Sequence, residues 1–215
     1  AVAQHTFAYI LDRFNKISDY DSIVKKGEWE TSASFSYFPI PTAELAGKTL
    51  SIIGFGSIGQ KVAQIGSAFD MNVLVNTRTK PQHCPYTLAT LDEAVKNADI
   101  LTFHCPLNVQ TNGIVNSNLL SMMKNSSILI NTARGAIVNE ADLAQALNDG
   151  QIAAAYLDVL EKEPMAHDTP LKNAKNCIIT PHTAWASIET RERLVNIVCN
   201  CVKSWQNGNP INKVN

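Results

Sequence analysis

The sequence predicts an α/β fold, a doubly wound parallel sheet, and three observations carry that reading. Short apolar runs alternate with stretches of helical spacing along most of the chain. The runs lack strict polar alternation, as expected of strands covered on both faces. No repeat of solenoid length is present, so right-handed strand–helix–strand crossovers are the natural assembly.

In chain order, Phe7, Ile10, Leu11 and Phe14 set a helical spacing over Val2–Ile17. The segment Lys26–Pro41 is aromatic and Ser-rich and reads as irregular; Trp29, Phe35, Tyr37 and Phe38 are expected to pack on the domain surface. Thr49–Ile53 is a strand ending in glycine, Gln60–Phe69 a helix, and Asn72–Val75 a second strand. Thr90 caps a helix over Leu91–Asn97, with Asp92 and Glu93 near its positive end. Ile100–Phe103 is a strand, Ser117–Met123 a short helix and Ser127–Ile130 a strand. Asn139 caps a helix through Leu147, with Gly150 beyond its end. Ile152–Leu157 and Cys177–Thr180 are further strands. Ile188–Trp205 is a long helix striped by Leu194, Ile197, Val198 and Val202.

Composition excludes several classes. Hydrophobic residues make up 45% and charged residues 17%, enough to bury a core and too apolar for a disordered chain. The net charge of −1, without a basic block, argues against nucleic-acid and membrane-surface partners. No apolar run reaches membrane-spanning length and no signal-peptide pattern is present. Five cysteines (Cys84, Cys105, Cys177, Cys199, Cys201) without a dense framework point to free thiols in a reducing, cytoplasmic setting. No His/Cys grouping implies a metal. The chain opens at Ala1 inside a periodic segment, without Met, and the expectation is a processed chain or a fragment.

Gly54-Phe55-Gly56-Ser57-Ile58-Gly59 matches G-x-G-x-x-G between a strand and a helix, the context that gives the pattern its meaning. Gly54 permits the turn, Gly56 lets the backbone approach a pyrophosphate, and Gly59 lets helix and strand pack closely. The amides of Ser57 and Ile58 open the helix, where free N–H groups favour phosphate. At the end of the next strand an NAD site usually carries an acid for the ribose 2′-OH. Here Thr77-Arg78-Thr79-Lys80 follows instead. Arg78 and Lys80 would suit a 2′-phosphate, giving a leaning to NADP(H) or dual use; a solvated basic loop is the alternative.

Three later segments each follow a predicted strand: Asn131–Gly135, Asp158–Pro164 and Thr180–Trp185. Ligands of open α/β sheets bind beyond the carboxyl ends of strands, so Arg134, Glu163 and His182 can converge. Arg134 would hold a carboxylate in two-pronged fashion. His182 would exchange a proton with an alcohol or carbonyl oxygen, and Glu163 would orient it and favour its charged form. Singly, each has a plain alternative: a surface Arg, a solvated Glu, a strand-capping His.

Together, Gly54–Gly59, His104-Cys105-Pro106-Leu107, Asn131–Gly135 with Val138-Asn139-Glu140, Asp158–Pro164 and Pro181-His182 resemble the D-isomer-specific 2-hydroxyacid dehydrogenase family. The resemblance implies a Rossmann-type dinucleotide-binding domain. It implies hydride transfer between NAD(P)H and a small 2-oxo/D-2-hydroxy acid, with Arg134, Glu163 and His182 as catalytic residues. It places Pro106, Leu107, Ala133 and Asp158 beside the nicotinamide and gives His104 a structural role. Glu161 competes with Glu163 but does not match in its spacing to Pro164. The family also uses the helix matching Val2–Ile17 in dimer formation, so a homodimer is expected; an intramolecular core face is the alternative. Ala1–Ala8, Gly27-Glu28-Trp29, Gly47-Lys48-Thr49 and Pro181–Ala186 are similar to the glycerate dehydrogenase (hydroxypyruvate reductase) branch. Trp185 would wall the substrate pocket or pack between domains.

Family members carry a second, substrate domain of roughly 100 residues. The expected division is a dinucleotide-binding domain over 1–187, with 188–215 as the C-terminal contribution to a substrate domain otherwise absent here. Cofactor binding with weak turnover is then expected of this chain. A second reading on the same fold is an NAD(H)-dependent interaction protein resembling corepressors related to the family; a third is a relative of formate or phosphite dehydrogenases.

Overall fold

A computed structural model describes residues 1–79 and 81–214. Seven strands form one parallel sheet in the order β3-β2-β1-β4-β5-β6-β7. They are β1 (Thr49–Ile53), β2 (Asn72–Asn76), β3 (Thr87–Leu88), β4 (Ile100–Phe103), β5 (Ile128–Asn131), β6 (Ala154–Leu157) and β7 (Cys177–Ile179). The chain leaves β1 in one direction for β2 and β3, then returns across it to β4. That reversal opens a crevice at the carboxyl ends of β1 and β4.

The two-residue alternation along buried strands feeds two cores. Leu50, Ile52, Ile100, Ile130 and Tyr156 face one side, against α1 (Val2–Asn15) and α3 (Ser57–Ala68). Ile53, Leu101, Phe103, Leu129 and Leu157 face the other, against α4 (Leu91–Asn97), α5 (Ser117–Met122) and α6 (Glu140–Asn148). Caps end the helices as the sequence predicts. Thr90 and Glu93 form a reciprocal capping box, and the Asn139 side chain accepts from the Ala141 and Asp142 amides.

Five expectations are corrected or decided. The first helix stops at Asn15, where Lys16 turns left-handed (φ 56°), and α2 (Ile17–Lys25) begins with Ile17 exposed. Phe7 and Ile10 are buried on the sheet with Leu11 and Phe14 partly buried beside them, so this stripe is an intramolecular core face. Phe35 and Phe38 do not pack on the domain surface; they are 91% and 84% exposed. The third helix starts at Ser57, three residues before Gln60, because the glycines that weaken local helix propensity there lie inside it. In α7 (Ile188–Gln206), Leu194, Ile197, Val198 and Val202 are exposed.

Candidate active site

On the β1–β2 side the site is made of backbone. Gly54 lies at φ 99°, and a Cβ there would stand 2.6 Å from the His104 carbonyl and the Cys105 amide. A Cβ on Gly59 would meet the Gly54 carbonyl oxygen at 2.2 Å. Gly56, in contrast, has no atom of the described residues within 4 Å of that position. Gly54 and Gly59 therefore close the loop on the sheet, and Gly56 leaves room above it. α3 starts at Ser57 with no side-chain cap, so its first amides are available to an anion. Gly54 and Gly56 share a cleft of about 460 Å³ with Thr77, Arg78, Thr79 and Pro106. Lys80 lies outside the described residues.

On the β5–β7 side the site is made of side chains. Arg134, Ala133, Leu107, His182 and Trp185 line one cleft of about 550 Å³, together with Ile58. The buried Asn131 side chain accepts from the Ala133 amide (3.0 Å) and donates to the Arg134 carbonyl (2.9 Å), fixing the turn that presents the guanidinium. A Cβ on Gly135 would fall 1.9 Å from the Leu160 carbonyl group, so this turn packs backbone to backbone on the segment carrying Glu163.

His182 holds a left-handed backbone (φ 55°), and its Nδ1 meets Glu163 Oε2 at 2.6 Å. Glu163 Oε1 accepts from the Leu160 amide at 2.9 Å. Burial alone would raise the Glu163 pKa, but the hydrogen bonds from His182 and Leu160 and the His182 charge outweigh it, holding the carboxyl below its ordinary range. An ionised carboxylate only accepts, so Nδ1 carries a proton and Nε2 is left for chemistry. The amide of the competing Glu161 is engaged by Glu140 instead, at 2.8 Å.

Asp158 is buried at the end of β6. Its carboxylate accepts from the Thr180 hydroxyl (2.5 Å) and from the Thr183 and Ala184 amides (both 2.8 Å). His104, beyond β4, lies 3.0 Å from the Thr102 hydroxyl, and burial pulls its pKa down to about 4. It is neutral at pH 7, in keeping with a structural role. Burial also raises the Cys105 thiol, and it pushes Cys177 up to about 12. Neither is poised as a nucleophile. Thr132 Oγ1, in the same cleft as His182 and Arg134, is enclosed without a hydrogen-bond partner. Such an orphan is what a polar ligand satisfies. With the open space over Gly56 and the uncapped start of α3, it makes the residues present fit a dinucleotide.

Sequence reasoning found the residues that face the clefts and one that braces them, Glu163 behind His182, but gave no bracing role to Asn131, Thr180, Gly135 or Asp158. Asn131, Thr180 and Gly135 each had a signal: a polar residue at the end of an apolar run, or a glycine beside a functional arginine. Among the described residues, no group of three or more His, Cys, Asp or Glu is placed to hold a metal, and no helix is long and apolar enough to cross a membrane.

The glycine loop after β1 and the hydrogen-bonded His182–Glu163 pair both stand beyond the carboxyl ends of one parallel sheet, the arrangement of a Rossmann-type dinucleotide-binding domain. Residues 7–184 match the D-isomer specific 2-hydroxyacid dehydrogenase, NAD binding domain, and the chain belongs to that family. It is 40% identical to hydroxypyruvate reductase of Blautia hydrogenotrophica, covering 100% of this chain and 68% of that protein. A D-lactate dehydrogenase from Aquifex aeolicus, solved with NAD and lactic acid, superposes with a TM-score of 0.84 at 33% identity, over 97% of this chain and 66% of that one. An acyclic imino acid reductase solved with NADPH and D-Arg gives 0.85 at 34%, over 98% and 66%. The chain thus spans about two thirds of the length of these relatives.

Proposed function

We propose that this chain is the cofactor-binding and acid–base part of an NAD(P)H-dependent D-2-hydroxyacid dehydrogenase acting on hydroxypyruvate and D-glycerate. The observation that carries the reading is the His182–Glu163 pair, 2.6 Å apart, opening on the cleft that Arg134 lines. Arg134 holds the substrate carboxylate. His182 gives a proton from Nε2 to the C2 oxygen on reduction and takes it back on oxidation. Glu163 holds Nδ1–H and stabilises the imidazolium.

Gly54, Gly56 and Gly59, with the Ser57 and Ile58 amides, would hold the pyrophosphate. Thr77, Arg78 and Thr79 would face the adenosine ribose, Pro106 and Leu107 the nicotinamide, and Ala133 and Asp158 the ring and its amide. When bound, the reduced nicotinamide supplies the hydride that C2 accepts. Arg78 in place of an acid supports a preference for NADP(H). Residues 1–187 form the dinucleotide-binding domain. The exposed apolar stripe of α7 supports reading 188–215 as part of a substrate domain, which gives weak turnover by these residues alone. On this reading the working enzyme is a cytoplasmic homodimer by likeness to the family, not through the α1 stripe, which packs within the chain.

The test is a substrate panel with NADH and with NADPH, read as cofactor binding and single-turnover oxidation. Oxidation by hydroxypyruvate, with NADPH bound more tightly than NADH, is the expected result. Failure to bind either cofactor overturns the reading, and tighter NADH binding overturns the preference. Binding without oxidation by any 2-oxo acid favours an interaction protein on the same fold.

A further inference from the structure

The His182 loop is tied to α1 by a chain of hydrogen bonds whose direction can be fixed by counting protons. Thr180 stands at its centre. Its Oγ1 lies 2.5 Å from Asp158 Oδ1, 3.1 Å from His5 Nε2, and within hydrogen-bond reach of the Tyr9 hydroxyl. Asp158 accepts at both oxygens, Oδ1 from Thr180 and the Thr183 amide and Oδ2 from the Ala184 amide, so the single Thr180 proton points to it. The Tyr9 contact then needs the Tyr9 proton, and the His5 contact needs a proton on Nε2. Tyr9 also lies 3.2 Å from the Leu157 carbonyl, which shares that donor. Burial, the largest cause, raises the Tyr9 pKa to about 12, so the hydroxyl keeps its proton throughout the working range. Downstream, Asp158 accepts from the amides of Thr183 and Ala184, the two residues that follow His182.

We propose that Tyr9 and His5 are positioning residues: their donated hydrogens commit the Thr180 proton to Asp158, and Asp158 clasps the loop that aims His182. The proposal rests on the reading of His182 as the acid–base residue. It assigns α1 a task beyond filling the core. Without the Tyr9 hydrogen, the Thr180 hydroxyl can turn away to the Leu157 carbonyl side, and Asp158 Oδ1 keeps one donor in place of two. The loop then loses the order that holds an L-residue in a left-handed conformation.

Amide hydrogen exchange of Thr183 and Ala184, followed by NMR in the full chain, tests this. Tyr9→Phe keeps the ring and is expected to speed both amides about tenfold, as for loss of one hydrogen bond, with the β4 amides unchanged. Thr180→Val should give the same acceleration, and the double variant no more than Thr180→Val alone. Thr180→Ser should restore wild-type exchange. Imidazole nitrogen spectra should show His5 with its proton on Nε2, and His182 signals that move in Tyr9→Phe and in Thr180→Val but keep their wild-type positions in Thr180→Ser. Additive effects, equal acceleration in β4, or a His5 proton on Nδ1 alone would overturn the proposal. None of these readouts needs turnover. Slow exchange without NADH binding overturns the functional reading alone; NADH binding with unaltered exchange in Tyr9→Phe overturns the positioning role alone.

Discussion

The two sides of the crevice are built from different materials. The β1–β2 side uses missing side chains: Gly54 and Gly59 bring backbone against backbone, and Gly56 leaves a gap. The β5–β7 side uses polar side chains that brace one another: Asn131 behind Arg134, Glu163 behind His182, Asp158 behind the loop after His182. A surface that approaches a phosphate gains from lying bare, because amides and a helix start supply the charge. A surface that moves a proton must fix a nitrogen to a fraction of an ångström, which takes packed and hydrogen-bonded side chains. Substitutions on one side should therefore disturb binding, and at its close-packed glycines folding as well, and on the other chemistry more than binding.

The largest separation is expected at His182. His182→Gln should lower the single-turnover rate by roughly 10²–10⁴-fold, with the NADH dissociation constant within about threefold of wild type. A parallel loss of NADH binding would erase the distinction between the sides. Glycine variants probe the other side. Gly59→Ala drives a methyl into the Gly54 carbonyl, and a loss of about 3 kcal/mol in urea unfolding is expected. Gly56→Ala should cost under about 0.5 kcal/mol, since no atom is near, yet weaken cofactor binding about tenfold. Gly135 sharpens the comparison, because it is a backbone contact within the side-chain half. Gly135→Ala should destabilise at least as much as Gly59→Ala and slow turnover as well, since the displaced Leu160 segment carries Glu163.

His104 sits where the halves meet and gives a pH test. Its pKa falls from an ordinary 6.5 to about 4 on folding, because burial disfavours the cation. Between those values the unfolded chain binds more protons than the folded one, so stability falls as pH drops from about 6.5 to 4. The loss is on the order of 3 kcal/mol. In urea titrations across that range, His104→Gln should remove most of the slope. The smallest effect is at Arg78. Arg78→Ala should weaken NADPH about tenfold, as for a lost charge-assisted contact, and leave NADH within about twofold; equal losses would show a solvated loop residue.

The same contrast explains what could be read from residues alone. The order of strands and helices was legible, because buried parallel strands are plain apolar runs and Thr90 and Asn139 mark helix starts. β3 and α2 were not: β3 is two residues held by pairing with β2, and α2 has no buried residue to set an apolar period. Glycine spacing makes the binding half a local pattern. Arg134, Glu163 and His182 were visible as residues after three strands, but their braces act across long separations: Asp158 holds residues 25 and 26 positions away. Tyr9 reaches Thr180 over 171 positions. Only the sheet order brings those together. The fates of the aromatics at 35 and 38 and of the α7 stripe were illegible, because periodicity shows that a face is apolar and not what covers it.

The left-handed backbone at His182 has one more consequence. Glycine accepts φ near +55° without penalty, whereas histidine, like any L-residue, visits that region at a cost. A residue chosen there for folding alone would be glycine. By the usual cost of a left-handed L-residue, about 1 kcal/mol, the protein surrenders fold stability at the position where the proposed chemistry calls for an imidazole. His182→Gly relieves that backbone but gives up the Glu163 hydrogen bond, so it should melt within a few degrees of its parent while losing the proposed chemistry. Selecting this chain for heat resistance alone would therefore put little brake on loss of the imidazole.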